Sequence, residues 1–153
     1  MISLQSSKVL GATIKDLIIP AERVAHVQVK NNLEHALLVL TKTGYTAVPV
    51  LDAKYKLHGL ISITHIMDSI LGLERIEFER LEHMVVEEAM NKELASLSIS
   101  DTVEKGLELL VDHPFVCVLN DENIFEGILT RRTILDRLHT HFINNNKEQD
   151  LEI

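Results

Sequence analysis

The chain has 153 residues, 46% of them hydrophobic and 25% charged, with a formal net charge of −8. That length and composition suit a folded body with a packed core and exclude intrinsic disorder. An acidic excess repels phosphate backbones, so no nucleic-acid partner is expected, and the apolar runs fall far short of the roughly 20 residues a membrane helix needs.

The opening segment MISLQSSKVL has neither the basic start nor the long apolar run of a signal peptide. Cys117 is the only cysteine, so no intramolecular disulfide can form, and a reducing cytoplasm is the expected setting. Residues 24–29 read as a short strand. Leu33, Ala36, Leu37 and Leu40 then recur at helical spacing, with Asn31 or Asn32 as the N-cap. Residues 46–51, a polar turn at 52–56 and residues 57–61 predict a hairpin, followed by a helix from Ser62. The stretch LGLERIEFERLEHM predicts a charged helical linker, with Glu74, Arg75, Glu77, Glu79 and Arg80 on its solvated face. A strand at 94–98 comes next, then a helix capped by Ser100 or Asp101, the latter at capping-box spacing from Glu104. A second hairpin (115–119, turn 120–123, 124–129) leads into a helix from Thr130, and the polar residues 144–153 are expected to fray.

The second half repeats the first. Val48, Val50, Leu51, Gly59, Ser62 and Ile66 fall on Val116, Val118, Leu119, Gly127, Thr130 and Ile134, all 68 residues apart. Leu33, Ala36, Leu37 and Leu40 fall on Val103, Gly106, Leu107 and Leu110 at a spacing of 70, and IKDLI at 14–18 resembles VEEAM at 86–90. The ordered series predicts an α/β protein of two tandem β-α-β-β-α units. Their expected bounds are 13–71 and 85–142, with 72–84 as linker and 143–153 as a flexible tail. Such units can bury their apolar sheet faces against each other about a pseudo-twofold axis. Two clefts are then expected where strand edges and helix N-termini converge, and helix N-termini favour phosphate.

The segment Gly127-Ile128-Leu129-Thr130-Arg131-Arg132 carries the strongest chemical signal. Two arginines in a helix's first turn oppose its dipole, which makes sense if an anion sits there, held by guanidinium forks, free N–H groups and the Thr130 hydroxyl. A lone arginine here could instead pair with one of the many surface carboxylates. The first copy has Ser62, Thr64 and His65 at this junction and no arginine, so the clefts are expected to be chemically unequal. Gly44 suits a left-handed helix end, and Pro49 within a strand pattern implies an edge or an unpaired position. Small Ala25 and Ala47 would let a flat base approach the backbone beside Thr46, and Tyr45 could stack on it. Arg23 is a second basic candidate. With the base-facing segment in one copy and the basic site in the other, a ligand spanning both is expected. The eight histidines show no metal-ligand spacing, and no nucleophile elbow or phosphate loop is present, so neither a metal nor a catalytic residue is expected. Cys117, at the place of Pro49, reads as inert core.

The repeat, with its V-P-V strand and its G-h-h-[ST]-x-x-x-h junction (h, apolar), resembles the CBS-domain pair, or Bateman module, over residues 13–140. That resemblance implies adenosine-type ligands and assembly into homodimers. Many such modules carry an Asp three residues after the Ser/Thr to hold the ribose hydroxyls; here His65 and Thr133 stand there. RVAHVQVKNNLEHALLVLTKTGYTAVPVLD, GLERIEFE and FEGILTRR are similar to the stand-alone bacterial CBS proteins of the CbpB/DarB type, which bind cyclic di-AMP. The resemblance implies a non-enzymatic sensor with no cofactor, in which Arg131 and Arg132 hold phosphates, supported by Thr130. Arg23, Ala25, Tyr45, Thr46 and Ala47 would line base and ribose. It also implies a (p)ppGpp synthetase/hydrolase as protein partner, with pyruvate carboxylase as another. Sensing of AMP, ADP or ATP, and a constitutive interaction subunit, are the alternatives.

Overall fold

The computed structural model describes residues 12–151; residues 1–11 and the last two residues of the expected tail lie outside them. In chain order the elements are α1 (Ile14–Leu17), β1 (Ile19–Pro20), a 3-10 turn (Ala21–Arg23), β2 (Val27–Gln28), α2 (Leu33–Thr43), β3 (Ala47–Leu51), β4 (Leu57–Ser62) and α3 (Ile63–Ile70). Then follow α4 (Arg80–His83), α5 (Val86–Ala89), β5 (Ser96–Ser98), α6 (Val103–Asp112), β6 (Phe115–Leu119), β7 (Phe125–Thr130) and α7 (Arg131–Leu151). The expected α/β architecture of two tandem repeats is thereby established.

The compact units do not follow the repeats. One unit takes residues up to Arg23 together with Ala95–Asp121 and the chain from Glu126; the other takes Val24–Leu94 and Glu122–Phe125. In the first unit the sheet runs β1-β7-β6-β5, so the lead-in of the first repeat lies antiparallel on the second repeat's hairpin, Ile19 opposite Ile128 and Pro20 opposite Gly127. Ile14 and Leu17 complete its core with Leu97, Val103, Leu110, Val116, Val118, Leu129 and Ile134. In the second unit the sheet runs β2-β3-β4, and the second repeat's lead-in returns the exchange. There Val86 joins Leu33, Ala36, Leu40, Val48, Val50, Ile61, Ile66 and Ile70, and Leu60 and Asn91 bond each other's backbone at 2.8 and 3.0 Å. Each of these fully buried Leu and Ile side chains contributes roughly 1.5–3 kcal/mol.

Both glycines of the repeated junction exist for this exchange. A Cβ on Gly59 would sit 2.5 Å from Asn91 O, and one on Gly127 would sit 2.1 Å from Ile19 O. Only a residue without a side chain lets the lead-in backbone cross there.

Several expected details change. The second helix is capped by Thr102, whose Oγ1 accepts from Lys105 N at 3.2 Å, because Asp101 turns back to accept from Ser98 N at 2.8 Å. Neither Ser100 nor Asp101 caps it. The linker is helical only over Arg80–His83. Before it the chain makes a tight return, with a bridge between Leu71 and Ile76 and Gly72 N donating to Arg75 O at 2.8 Å. The strand expected at 24–29 shrinks to Val27–Gln28. Pro49 lies in the central strand, yet the ladder from β2 reaches only Val50 and Leu51; Pro49 has no N–H to extend it. Its counterpart Cys117 is paired with Ser96. Burial pushes the Cys117 thiol up to about 12, which keeps it inert. Asn32 does cap α2, accepting from His35 N at 2.9 Å. Residues 131–151 form one helix.

The turn between β3 and β4 is organised by Asp52. Its Oδ1 accepts from Lys54 N at 2.8 Å and Lys56 N at 3.1 Å, and its Oδ2 lies 2.9 Å from His58 Nε2. The His58 hydrogen bond first, then the Lys56 N–H, hold this carboxyl at about 2, below its ordinary 3.8. A depressed carboxylate stabilises the fold above the unfolded value and loses that contribution as pH falls through the folded one. Asp52→Asn keeps the turn acceptor and removes the charge. Its urea midpoint should lie below that of the parent at pH 7, with the two converging toward pH 2. A gap constant across that range would remove ionisation from the account.

Candidate functional site

The first candidate segment is set by the end of α2. Gly44 terminates the helix at φ 77°, with its N–H on Leu40 O at 3.0 Å, and the chain emerges with Tyr45 half exposed and Thr46 exposed. Ile63 N donates to Thr46 O at 3.4 Å, and Ala47 lies opposite Ser62 across the β3–β4 ladder. Tyr45, Thr46 and Ala47 therefore flank the place where β4 passes into α3. The parallel register of β2, Val27 beside Val50, brings Ala25 to the same end of the sheet. Ala25 and Ala47 are only partly covered, and the β2 ladder stops short of Ala47, Val48 and Pro49. The small side chains of Ala25 and Ala47 leave room for a flat ring, while Val48 and Pro49 are buried.

The hydroxyl residues at the two junctions are engaged as helix caps. Ser62 Oγ accepts from His65 N at 3.1 Å and shares a 2.9 Å hydrogen bond with His65 Nδ1. In the other unit Thr130 Oγ1 accepts from Thr133 N at 3.1 Å and donates to Thr133 Oγ1 at 3.0 Å. The residues standing where an Asp would read ribose thus fold back on their own caps.

The two arginines differ sharply. Arg131 Nε donates to Leu110 O at 2.7 Å and one terminal nitrogen donates to Val111 O at 2.9 Å. It closes the C-terminal end of α6, where carbonyls lack helical partners and a cation is favoured. Arg132, in the same turn, is exposed and among the described residues has no hydrogen-bond or ion-pair partner. An unpaired guanidinium beside a capping threonine at the start of a 21-residue helix can take an anion. Arg23 ends the 3-10 turn and is exposed; β1, which leads to it, runs away from the Thr130 end of β7. A shallow depression lined by Leu71, Gly72, Leu73, Arg75 and Arg80 lies apart in sequence and includes none of these candidates.

Sequence reasoning passed over His26 and Tyr55. His26 directly follows Ala25, and its ring lies 5.4 Å from that of Tyr55. The available signal was the repeat: Tyr55 stands where the second copy has Asn123, an ordinary turn residue.

The CBS-domain family matches this chain at residues 14–72 and 86–140. The chain is 58% identical over 147 residues to the cyclic di-AMP receptor B of Bacillus subtilis, covering 96% of this chain and 100% of that one. It is similar to the structure of the Listeria monocytogenes CbpB protein in complex with c-di-AMP, at 54% identity and a TM-score of 0.79, covering 84% of this chain and 96% of that one. CbpB from Streptococcus agalactiae superposes with a TM-score of 0.80 at 28% identity, covering 94% and 90% of the two chains. Among the described residues no helix is long and apolar enough to cross a membrane. A matched repeat in each half, with the glycine-gated junction in both, makes this chain a member of the CBS-domain family.

Proposed function

We propose that the chain is a non-enzymatic receptor for cyclic di-AMP, whose occupancy controls its binding to protein targets. The observation that carries the reading is Arg132, an unpartnered cation in the first turn of α7. It is supported by the near-full-length likeness to a cyclic di-AMP receptor. The absence of Asp at 65 and 133 agrees with it, because a cyclic dinucleotide has its ribose 3′ oxygens esterified and offers no vicinal diol. Arg132 takes a phosphate; Arg131 spends two of its nitrogens on α6 and contributes through the third. Ala25, Tyr45, Thr46 and Ala47 receive a base and its ribose, with Arg23 and the Thr130 turn adding polar contacts. In this reading the protein works in the cytoplasm as a homodimer. Its ligand-free form engages a (p)ppGpp synthetase/hydrolase, with pyruvate carboxylase as a further target. Ligand can control such binding only by differing in affinity between free and target-bound states.

Calorimetry with cyclic di-AMP, cyclic di-GMP, AMP and ATP tests this. Cyclic di-AMP should bind most tightly, and Arg132→Met should weaken it by about 10- to 100-fold, the worth of a charge-assisted contact. Tighter binding of AMP or ATP, indifferent to Arg132→Met, sinks the reading in favour of an adenylate sensor. No binding of any nucleotide favours a constitutive interaction subunit.

A further inference from the structure

We propose that His26 and Tyr55 are positioning residues for the ligand, acting through the backbone of Ala25; the proposal rests on the reading of Ala25 as a contact. Tyr55 has φ 63°, in the left-handed region that bulky residues rarely enter. The turn imposes it: Tyr55 N donates to Asp52 O at 3.0 Å, and the Asp52 carboxylate clamps the N–H groups on either side. The equivalent turn of the second copy has the same φ of 63° with Asn123, a residue that tolerates it. The turn itself therefore has no need of a tyrosine. Nor does hydrophobic burial explain it, since Tyr55 remains 39% exposed.

What the tyrosine adds is its ring. It lies 5.4 Å from the His26 imidazole at an interplanar angle of 58°, a tilted aromatic pair. His26 Nδ1 is 3.2 Å from Val24 O. A carbonyl only accepts, so Nδ1 carries the proton and donates, closing a short ring whose middle residue is Ala25. Tyr55 braces His26, and His26 fixes the peptide groups on both sides of Ala25 at the sheet end where Thr46 and Ala47 emerge. Between the 3-10 turn and Val27 the chain has no strand pairing. This side-chain brace stands in for a ladder there. Preorganising such a segment lowers the ordering cost of binding.

The test is cyclic di-AMP affinity and thermal unfolding of the full chain as Tyr55→Asn, Tyr55→Phe, His26→Ala and the Tyr55→Asn/His26→Ala pair. Tyr55→Asn should bind about three- to tenfold more weakly, the scale of one aromatic pair, while its unfolding midpoint holds or rises because Asn relieves the strain. Tyr55→Phe should bind as the parent does. His26→Ala should lose a similar factor, and the double variant should lose little more than the worse single. In the ligand-free protein, nitrogen NMR should find the His26 Nδ1–H tautomer, depleted in Tyr55→Asn. Parent-like binding by Tyr55→Asn, a loss shared by Tyr55→Phe, or a loss seen only with a lowered midpoint overturns the proposal. If the parent fails to bind cyclic di-AMP, or Arg132→Met binds like it, the receptor reading falls and takes this proposal with it.

Discussion

Gly127→Ala is expected to lower the stability of the fold by about 3 kcal/mol or more, read from urea unfolding at neutral pH. Two costs combine. At φ 154° an alanine is strained whatever space surrounds it, and its Cβ would stand 2.1 Å from Ile19 O and 3.1 Å from Ile19 C. The obstructing atoms are backbone, locked by the pairing of Ile19 with Ile128 and of Pro20 with Gly127. No rotamer change can relieve the clash, so β1 must lift from β7 and uncover Ile14 and Leu17. Gly44→Ala is the matched control. It has φ 77° and nothing within 4 Å, so only the left-handed penalty of about 1 kcal/mol applies. Equal losses at the two positions would show that β1 does not cross Gly127.

Arg131→Met should cost about 1.5–2 kcal/mol, while Arg132→Met should leave the unfolding midpoint within about 0.5 kcal/mol of the parent. The first strips two charge-assisted donors from Leu110 O and Val111 O at the end of α6. The second removes an exposed cation from the positive end of a helix, where its charge is unfavourable. Arg131→Lys should not recover the lost stability, because an ammonium cannot address both carbonyls through a planar fork. Adjacent arginines would then divide their labour, Arg131 mainly for the fold and Arg132 for the ligand. Identical stability losses for the two Met variants would contradict that division.

The repeat made most of this fold legible in the sequence. Apolar spacing placed α2, both hairpins and both junction helices, and the core residues follow the aligned pairs. The exchange of lead-in segments was not legible. IKDLI and VEEAM look alike, so nothing in either says which hairpin it covers. Only the crossing of Ile19 at Gly127 and of Asn91 at Gly59 decides it. The paired arginines were legible as a signal, but their different partners were not, since Leu110 and Val111 lie 21 and 20 residues away from Arg131. Asp101 misled for a local reason. A carboxylate at that position can cap the helix or close the preceding turn, and Thr102 frees it for the turn. Tyr55 was hidden because a strained φ leaves no mark in composition.

The exchanged lead-in segments also bear on the history of the molecule. A gene duplication ordinarily yields two parts that could later be separated, one lost or lent to another protein. Here each copy covers its neighbour's sheet with its own lead-in segment, so deleting either would leave the survivor with an open flank and a hollow where Ile14 or Val86 had been. The two copies have become hostages to one another. Selection on a ligand contact in one must be reconciled with packing in the other.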